Sequence, residues 1–319
     1  MSDISPLRKL NLIFRFSYTL PFFLASVCGT VYAFARFDIP LHITFLVPFV
    51  VLILALFVNF SNDYFDHLSG VDDLRFETGK SMFDGVEVSS FMKKIYWDGN
   101  PVNNGMVTRK QAKIIMAVLV IIAAVCAIPI IIYGGWMAVV LGGIGVLIAY
   151  FYTAPPVNLG ARGLGELSVG VSFFLMVFGS YYVLSLYVWD LEIFLFALII
   201  GIFVGLMRIV DSMSGQAAHI ATNEKSVSVV VGIDGMPKVI KFVLIIGYVA
   251  VFAMLYFDLV YALLLITLLV AAKTWQLVTK KGKYWEFMAA PMTFLIALMT
   301  ELLFIVSQIV MIYWSHPLF

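Results

Sequence analysis

The sequence has few charged residues for its length. Only 12% of its 319 residues are Asp, Glu, Lys or Arg, about half the share of an ordinary soluble domain, whereas 62% are hydrophobic. This composition excludes a water-soluble globule. The 28 Phe, 15 Tyr and 6 Trp exclude a disordered chain. A net charge of +1 offers no broadly basic face, so we expect no nucleic-acid partner.

Cysteine is equally scarce. Cys28 and Cys126 both lie in apolar runs, which is typical of inert buried thiols, and two such residues form neither a disulfide framework nor a zinc motif. The N-terminus has basic residues before an apolar stretch that continues past the length of a signal peptide. We interpret this stretch as a retained first membrane span.

Long apolar runs are abundant. Because a helix needs about 20 apolar residues to cross a bilayer core, the sequence predicts an all-α integral membrane protein with about nine transmembrane helices in one domain, 1–319. Two long polar stretches, 62–113 and 208–238, are predicted to be loops that cap the functional site. The predicted spans are 12–34, 42–61, 114–133, 136–154, 167–188, 192–210, 239–257, 259–274 and 287–312.

The basic residues predict the orientation of these spans. If the segments between spans alternate between two sides, all but one of the 20 Lys and Arg residues fall on one side, and the exception is Arg36. The positive-inside rule then places the N-terminus in the cytoplasm and the C-terminus outside. We therefore expect a multi-pass protein of the cell membrane whose polar loops, and any chemistry on charged groups, face the cytoplasm.

An acidic cluster lies at the predicted cytoplasmic end of the second span, in the stretch NFSNDYFDHLSGVDD. Asn62 and Asp66 are four residues apart and share one helix face, Asp63 is rotated away from them, and Asp72 follows Gly70. Packed carboxylates near hydrocarbon are costly unless a cation joins them, and oxygen ligands suit Mg²⁺. The alternative is a solvated helix end with a polar turn.

Four segments, in order, resemble the UbiA superfamily of intramembrane prenyltransferases, and most closely the branch that prenylates 1,4-dihydroxy-2-naphthoate in menaquinone biosynthesis. NDYFDHLSGVD resembles the first aspartate-rich motif of that family. The other three are NNGMVTRKQA (103–112), YTAPPVNLGARGLGE (152–166) and NEKSVSVVVG (223–232). The resemblance implies transfer of a prenyl group from a prenyl diphosphate to an aromatic acceptor.

The second acidic motif departs from the family pattern. The family usually has Asp-x-x-x-Asp before Gly-Lys, whereas here Asp211 is followed four residues later by Gly215. His219 is an alternative occupant of the second Asp position, and one sequence does not separate the two alignments. Either alignment leaves fewer carboxylates than the family pattern has, which weakens the expectation of a second Mg²⁺.

The resemblance implies roles for the charged residues. Metal ligands are expected at Asn62, Asp63, Asp66, Asp72 and Asp211. Arg208 and Lys225 are expected to contact the diphosphate oxygens. Arg162 is a further phosphate-binding candidate, or an ordinary interface anchor.

Two tyrosines are candidates for stabilising the allylic cation that forms when diphosphate leaves. Tyr150 and Tyr152 end the predicted fourth span, and an aromatic face attracts a cation. With Asp66 and Asp211 they form the expected catalytic set. The alternative for both tyrosines is an interface aromatic belt.

Two other functions remain open. A prenyltransferase with this altered motif could act on hydroxybenzoate, homogentisate, a haem vinyl group or a glycerol-phosphate lipid. Alternatively, membrane acids serve cation-coupled transporters, but transporter sites lie near the bilayer midplane, whereas these acids cluster at span ends. The sequence does not predict the oligomeric state, the prenyl chain length or a general base.

Overall fold

The computed structural model of the chain describes residues 10–11, 13–70, 100–103, 105–282 and 284–315, and all regular structure in this part of the chain is helical. A short π-helix spans Gly160–Leu164, and a 3₁₀ helix spans Leu259–Thr267. The helices are α1 Phe16–Phe34, α2 Leu41–Ser69, α3 Arg109–Phe151, α4 Gly165–Leu184, α5 Leu191–Ser214, α6 Gln216–Ala221, α7 Val227–Val231, α8 Met236–Met254, α9 Leu268–Lys280 and α10 Trp285–Ser315.

The lengths of the helices agree with the predicted all-α membrane fold. Seven helical segments of the described chain are long and apolar enough to cross a membrane, and Tyr18–Phe34 is a shorter apolar helix. The 43-residue α3 is broken at Gly135, which has φ 60° and ψ −158°. Lys113 and Tyr150, near its two ends, line one groove, so α3 doubles back at Gly135. The count of nine spans and the orientation remain predictions.

The helix ends correct two predicted boundaries. α2 does not stop at residue 61 but continues to Ser69, where Gly70 adopts a left-handed conformation with φ 76°. The first residues of the predicted loop 208–238 belong to α5, and most of the remainder forms α6, α7 and the start of α8. Apolar composition identified only the hydrophobic stretch of each helix, whereas backbone hydrogen bonding continues through polar residues until a helix breaker.

The core of the bundle joins the long helices α1–α5 and α8–α10. α4 and α5 approach closely because glycines face each other: a Cβ on Gly170 would lie 2.8 Å from the carbonyl oxygen of Gly201, and the reverse distance is also 2.8 Å. Phe196 of α5 stacks on Phe304 of α10, with ring centroids 3.5 Å apart. This packing fixes the position of α5, which carries Arg208 and Asp211.

The end of the bundle away from Arg15 holds a separate polar network. Arg36 lies 21 residues after Arg15 in the chain, which corresponds to about 30 Å along the axis of a helix. Its Nη2 lies 3.2 Å from Oε1 of Glu192, and its Nη1 donates to Oε1 of Gln308 at 2.9 Å. The Tyr261 hydroxyl contacts Glu192 and accepts a 2.8 Å hydrogen bond from Gln308. These contacts join helices at the end opposite the acidic motif.

Candidate active site

A polar cavity of about 260 Å³ lies at the end of the bundle that carries the acidic motif. α2, the segment 152–161, α5 and the segment after α6 contribute its walls. The lining residues are Arg15, Tyr18, Asn59, Asn62, Phe65, Asp66, Ser69, Tyr152, Thr153, Asn158, Gly160, Ala161, Arg208, Asp211 and Glu224. Asp66 and Asp211, from distant parts of the chain, therefore lie on one cavity.

The α2 wall presents oxygen atoms to the cavity. Nδ2 of Asn62 donates to Oδ2 of Asp66 at 3.2 Å, the i, i+4 contact expected on one helix face. Oδ1 of Asn62 is buried and has no hydrogen-bond partner within the described chain. A buried amide oxygen without a partner costs free energy, so a ligand that satisfies it would bind favourably here.

On the α5 wall, the guanidinium of Arg208 lies between two hydrogen-bond partners. Nη1 of Arg208 lies 3.0 Å from Oδ2 of Asp211, and its Nε donates to the Tyr152 hydroxyl at 2.7 Å. The Asp211 side chain is 51% exposed, so its carboxylate stays accessible from the cavity. Arg208 is thereby oriented toward the space where an anionic group would bind.

Asp63, predicted as a metal ligand, has a different environment. Its side chain is 2% exposed, does not line the cavity, and lies 3.1 Å from Nη2 of Arg15. The 100° rotation between successive helical residues turns Asp63 toward α1 when Asn62 faces the cavity. We therefore interpret Asp63 as the ion-pair partner of Arg15, and a metal contact by Asp63 remains a prediction from the sequence.

Three other predicted residues lie away from the cavity lining or outside the described chain. Nη2 of Arg162 donates to the carbonyl oxygen of Pro156 at 2.8 Å, and Arg162 is exposed. Lys225 is also exposed, and its backbone N–H donates to Ala161 at 2.8 Å. Asp72 lies outside the described residues. Phosphate contacts by Arg162 and Lys225 remain predictions.

The segment after α3 folds tightly enough to line the cavity. Gly163 has φ 81°, a conformation that favours glycine, and a Cβ on Gly165 would lie 3.1 Å from Cα of Gly160. Oε1 of Glu166 accepts a 2.9 Å hydrogen bond from the N–H of Val227. This bond ties the YTAPPVNLGARGLGE segment to the segment that follows α6.

An apolar groove of about 610 Å³ adjoins the cavity between α2 and α3. Phe65 lines both spaces, and its ring meets the ring of Tyr150 edge-on at a centroid distance of 5.9 Å. The two predicted tyrosines therefore separate: Tyr152 lines the cavity, and Tyr150 lines the groove. The groove is lined by Phe57, Tyr64, Phe65, Leu68, Lys113, Met116, Ala117, Val120, Ile121 and Tyr150.

The sequence interpretation missed several cavity residues. His219 is buried and contacts Glu224 through Nδ1, and Glu224, not His219, lines the cavity. Asn59, one turn before Asn62, also lines it. The i−3 spacing of Asn59 from Asn62 is a signal that could have identified Asn59. Glu224 follows a turn whose direction the sequence does not reveal.

The donor set fits a magnesium ion that arrives with a phosphate. No three His, Cys, Asp or Glu side chains within the described ranges converge closely enough to hold a metal by themselves. Mg²⁺ typically takes only one or two carboxylates and completes its coordination with water and substrate phosphates. Asp66, Asp211 and the partnerless Oδ1 of Asn62 meet that requirement.

Comparison with known proteins agrees with this geometry. Residues 20–296 match the profile of the UbiA prenyltransferase family. No curated protein sequence matches the chain significantly.

Solved structures share the fold at low sequence identity. A UbiA homologue from Archaeoglobus fulgidus, bound to GPP and Mg²⁺, has a TM-score of 0.68 and 15% identity over 95% of this chain and 99% of its own. A digeranylgeranylglyceryl phosphate synthase has a TM-score of 0.58 and 19% identity, covering 95% and 98% of the two chains. An apo homologue from Aeropyrum pernix K1 has a TM-score of 0.60 and 15% identity, covering 92% and 98%.

Proposed function

Because the chain belongs to the UbiA prenyltransferase family, a family of membrane enzymes that transfer prenyl groups, we propose that it uses Mg²⁺ to transfer a prenyl group from a prenyl diphosphate to 1,4-dihydroxy-2-naphthoate. One observation carries the proposal: Asp66 and Asp211 line one polar cavity, which shares Phe65 with an adjoining apolar groove. A substrate with a charged head and a long apolar tail matches that pair of spaces.

The polar cavity would bind the diphosphate. Asn62, Asp66 and Asp211 would hold Mg²⁺, which when bound neutralises the diphosphate and makes it a better leaving group. Arg208 would contact phosphate oxygens through its remaining N–H groups, since Tyr152 and Asp211 already fix its orientation. Tyr152 would in turn lie beside the departing group.

The apolar groove would bind the prenyl tail. Along α2 it extends from Phe57 to Leu68, 11 residues or about 16 Å of helix. Apolar side chains such as Val120 and Ile121 line it and would exclude water from the tail. The ring of Tyr150 would face the first isoprene units, where positive charge develops.

The proposed reaction breaks the bond between the prenyl chain and the diphosphate and forms a bond between the prenyl chain and the acceptor ring. The bond between C1 of the prenyl chain and the diphosphate oxygen breaks, and its electron pair leaves with the diphosphate. The acceptor ring then attacks C1 through the carbon that bears its carboxylate. Loss of that carboxylate as CO₂ restores the aromatic ring without removal of a ring proton, so the reaction needs no general base at that step.

The choice of acceptor rests on the resemblance of the YTAPPVNLGARGLGE and NEKSVSVVVG segments to the naphthoate branch. Glu166 and Val227 link these two segments by a hydrogen bond, and residues of both line the cavity. We therefore propose a role in menaquinone biosynthesis. The positive-inside argument supports a cavity that faces the cytoplasm from the cell membrane.

The experiment uses the full-length protein in nanodiscs with labelled farnesyl diphosphate and a panel of acceptors, with and without Mg²⁺. We expect labelled product with 1,4-dihydroxy-2-naphthoate and Mg²⁺. For Asp66→Asn we expect a rate lower by about 100-fold or more. A matched control is Asp234→Asn, because Asp234 is exposed, pairs with Lys281 and does not line the cavity.

Two results would contradict the proposal in different ways. Product with hydroxybenzoate or a glycerol-phosphate lipid, and none with the naphthoate, would reassign the acceptor. A wild-type rate for Asp66→Asn would overturn the assignment of the cavity.

A further inference from the structure

Glu224 and His219 form a pair at the edge of the cavity. The His219 side chain is 3% exposed and the Glu224 side chain 17%, and Nδ1 of His219 contacts Oε2 of Glu224. The backbone N–H of Glu224 also donates to the carbonyl oxygen of His219 at 2.8 Å. Both the main chain and the side chain of Glu224 thus contact the same residue, and Glu224 lines the cavity.

The segment that carries Glu224 is anchored on both sides. Asn223 has φ 57° and reverses the chain after α6. On the far side, the N–H groups of Lys225 and Val227 donate to Ala161 and Glu166 at 2.8 and 2.9 Å. This anchoring holds Glu224 in the cavity wall.

The charges that line the cavity favour a divalent cation. Among the described residues, two cationic and three acidic side chains line it: Arg15, Arg208, Asp66, Asp211 and Glu224. Arg15 lies 3.1 Å from the buried Asp63, which leaves one guanidinium against three carboxylates. Excess negative charge would repel a diphosphate, and a divalent cation bound with the diphosphate reverses that repulsion.

We propose that Glu224 is a further magnesium ligand and replaces the second aspartate that the family's second acidic motif has and this chain lacks. The inference rests on the proposed function. His219 is then a positioning residue, because carboxylates that bind metals are commonly oriented by a hydrogen-bond partner behind them. The sequence alternative that makes His219 itself the ligand is replaced by one in which His219 orients Glu224.

The test measures metal binding separately from catalysis. Free Mn²⁺ is titrated by electron paramagnetic resonance against the full-length protein in nanodiscs, with farnesyl thiodiphosphate as a non-reacting substrate analogue. We expect Glu224→Gln, which keeps size and removes charge, to weaken Mn²⁺ binding by about 10–100-fold. His219→Ala should weaken it about tenfold, and the double variant no further than Glu224→Gln alone.

Controls separate failure of this inference from failure of the proposed function. Asp234→Asn is expected to leave Mn²⁺ binding unchanged, and Asp66→Asn to weaken it. If Asp66→Asn weakens binding and Glu224→Gln does not, Glu224 is not a ligand and the proposed function stands. If the wild-type protein binds no Mn²⁺ with the analogue, both fail. If Glu224→Gln does not fold, Glu224→Asp must weaken binding, and unchanged affinity there overturns the inference.

Discussion

The Tyr152 hydroxyl accepts a 2.7 Å hydrogen bond from Nε of Arg208, while Nη1 of the same guanidinium lies 3.0 Å from Asp211. Tyr152 begins the segment after α3, and Arg208 lies on α5. One hydrogen bond therefore joins the YTAPPVNLGARGLGE segment to the helix that carries Asp211. It also leaves the guanidinium with a single orientation toward the cavity.

Removing that hydroxyl tests its contribution. We expect Tyr152→Phe to lower kcat/KM for the prenyl diphosphate by about 10–100-fold, because a hydrogen bond to a charged group is worth about 1.5–3 kcal/mol. The matched change Tyr150→Phe keeps the aromatic ring on the groove, and we expect a rate within about twofold of wild type. Initial rates over a range of donor concentrations measure both. Equal losses of kcat/KM in Tyr152→Phe and Tyr150→Phe would contradict the different roles assigned to the two tyrosines.

The ion pair between Arg15 and Asp63 is predicted to stabilise the protein. Asp63 is 2% exposed, so Arg15→Ala removes a cationic partner of a buried carboxylate and is expected to cost about 3–5 kcal/mol. Thermal unfolding in detergent measures the loss. The double variant Arg15→Ala with Asp63→Asn should recover part of it, since the buried charge is gone.

The same variants test the metal role that the sequence predicted for Asp63. Asp63→Asn is expected to lower the melting temperature and to leave Mn²⁺ affinity unchanged. A large loss of Mn²⁺ affinity in a well-folded Asp63→Asn protein would restore Asp63 to the ligand set.

Features set by spacing within one helix were predictable from sequence. The Asn62–Asp66 contact follows from an i, i+4 separation, and the cavity at the end of α2 follows from polar residues that end an apolar run. By contrast, whether Asp63 faces α1 or the cavity depends on the rotation of α2 against its neighbours. Apolar composition around the helix did not determine that rotation.

Features set by turns between helices were not predictable. Glu224 reaches the cavity because Asn223 adopts a positive φ and reverses the chain, a choice that few non-glycine residues make. From sequence, Arg162 is a phosphate-binding candidate or an interface anchor, and in the structure its guanidinium donates to the Pro156 carbonyl oxygen of its own loop. In both cases local backbone geometry decided the side-chain direction, and neither charge nor spacing revealed it.

The close contact between α4 and α5 predicts that a single added methyl group at Gly170 will lower the stability of the protein. A Cβ on Gly170 would lie 2.8 Å from the carbonyl oxygen of Gly201, so Gly170→Ala must push apart the helices that position Arg208. We expect a loss of about 1–3 kcal/mol in unfolding free energy, seen as a lower melting temperature. The control is Gly142→Ala on α3, where a Cβ would meet no atom within 4 Å.

The Gly142 control has its own expected direction. In an open helical position Ala is favoured over Gly by about 0.5–1 kcal/mol, so Gly142→Ala should be neutral or slightly stabilising. If Gly170→Ala and Gly142→Ala change the melting temperature equally, close packing of α4 on α5 does not limit stability.

Glu301 lies in α10 with 0% of its surface exposed, and neither of its carboxyl oxygens has a hydrogen-bond partner in the described part of the chain. An unsatisfied buried polar group costs about 1–3 kcal/mol, so we expect Glu301→Leu to raise the melting temperature. Because Glu301 does not line the cavity or the groove, the prenyl transfer rate should stay at the wild-type value. Parallel unfolding and rate measurements decide the matter: a stable Glu301→Leu protein without activity would show that this intramembrane acid is retained for function despite its cost.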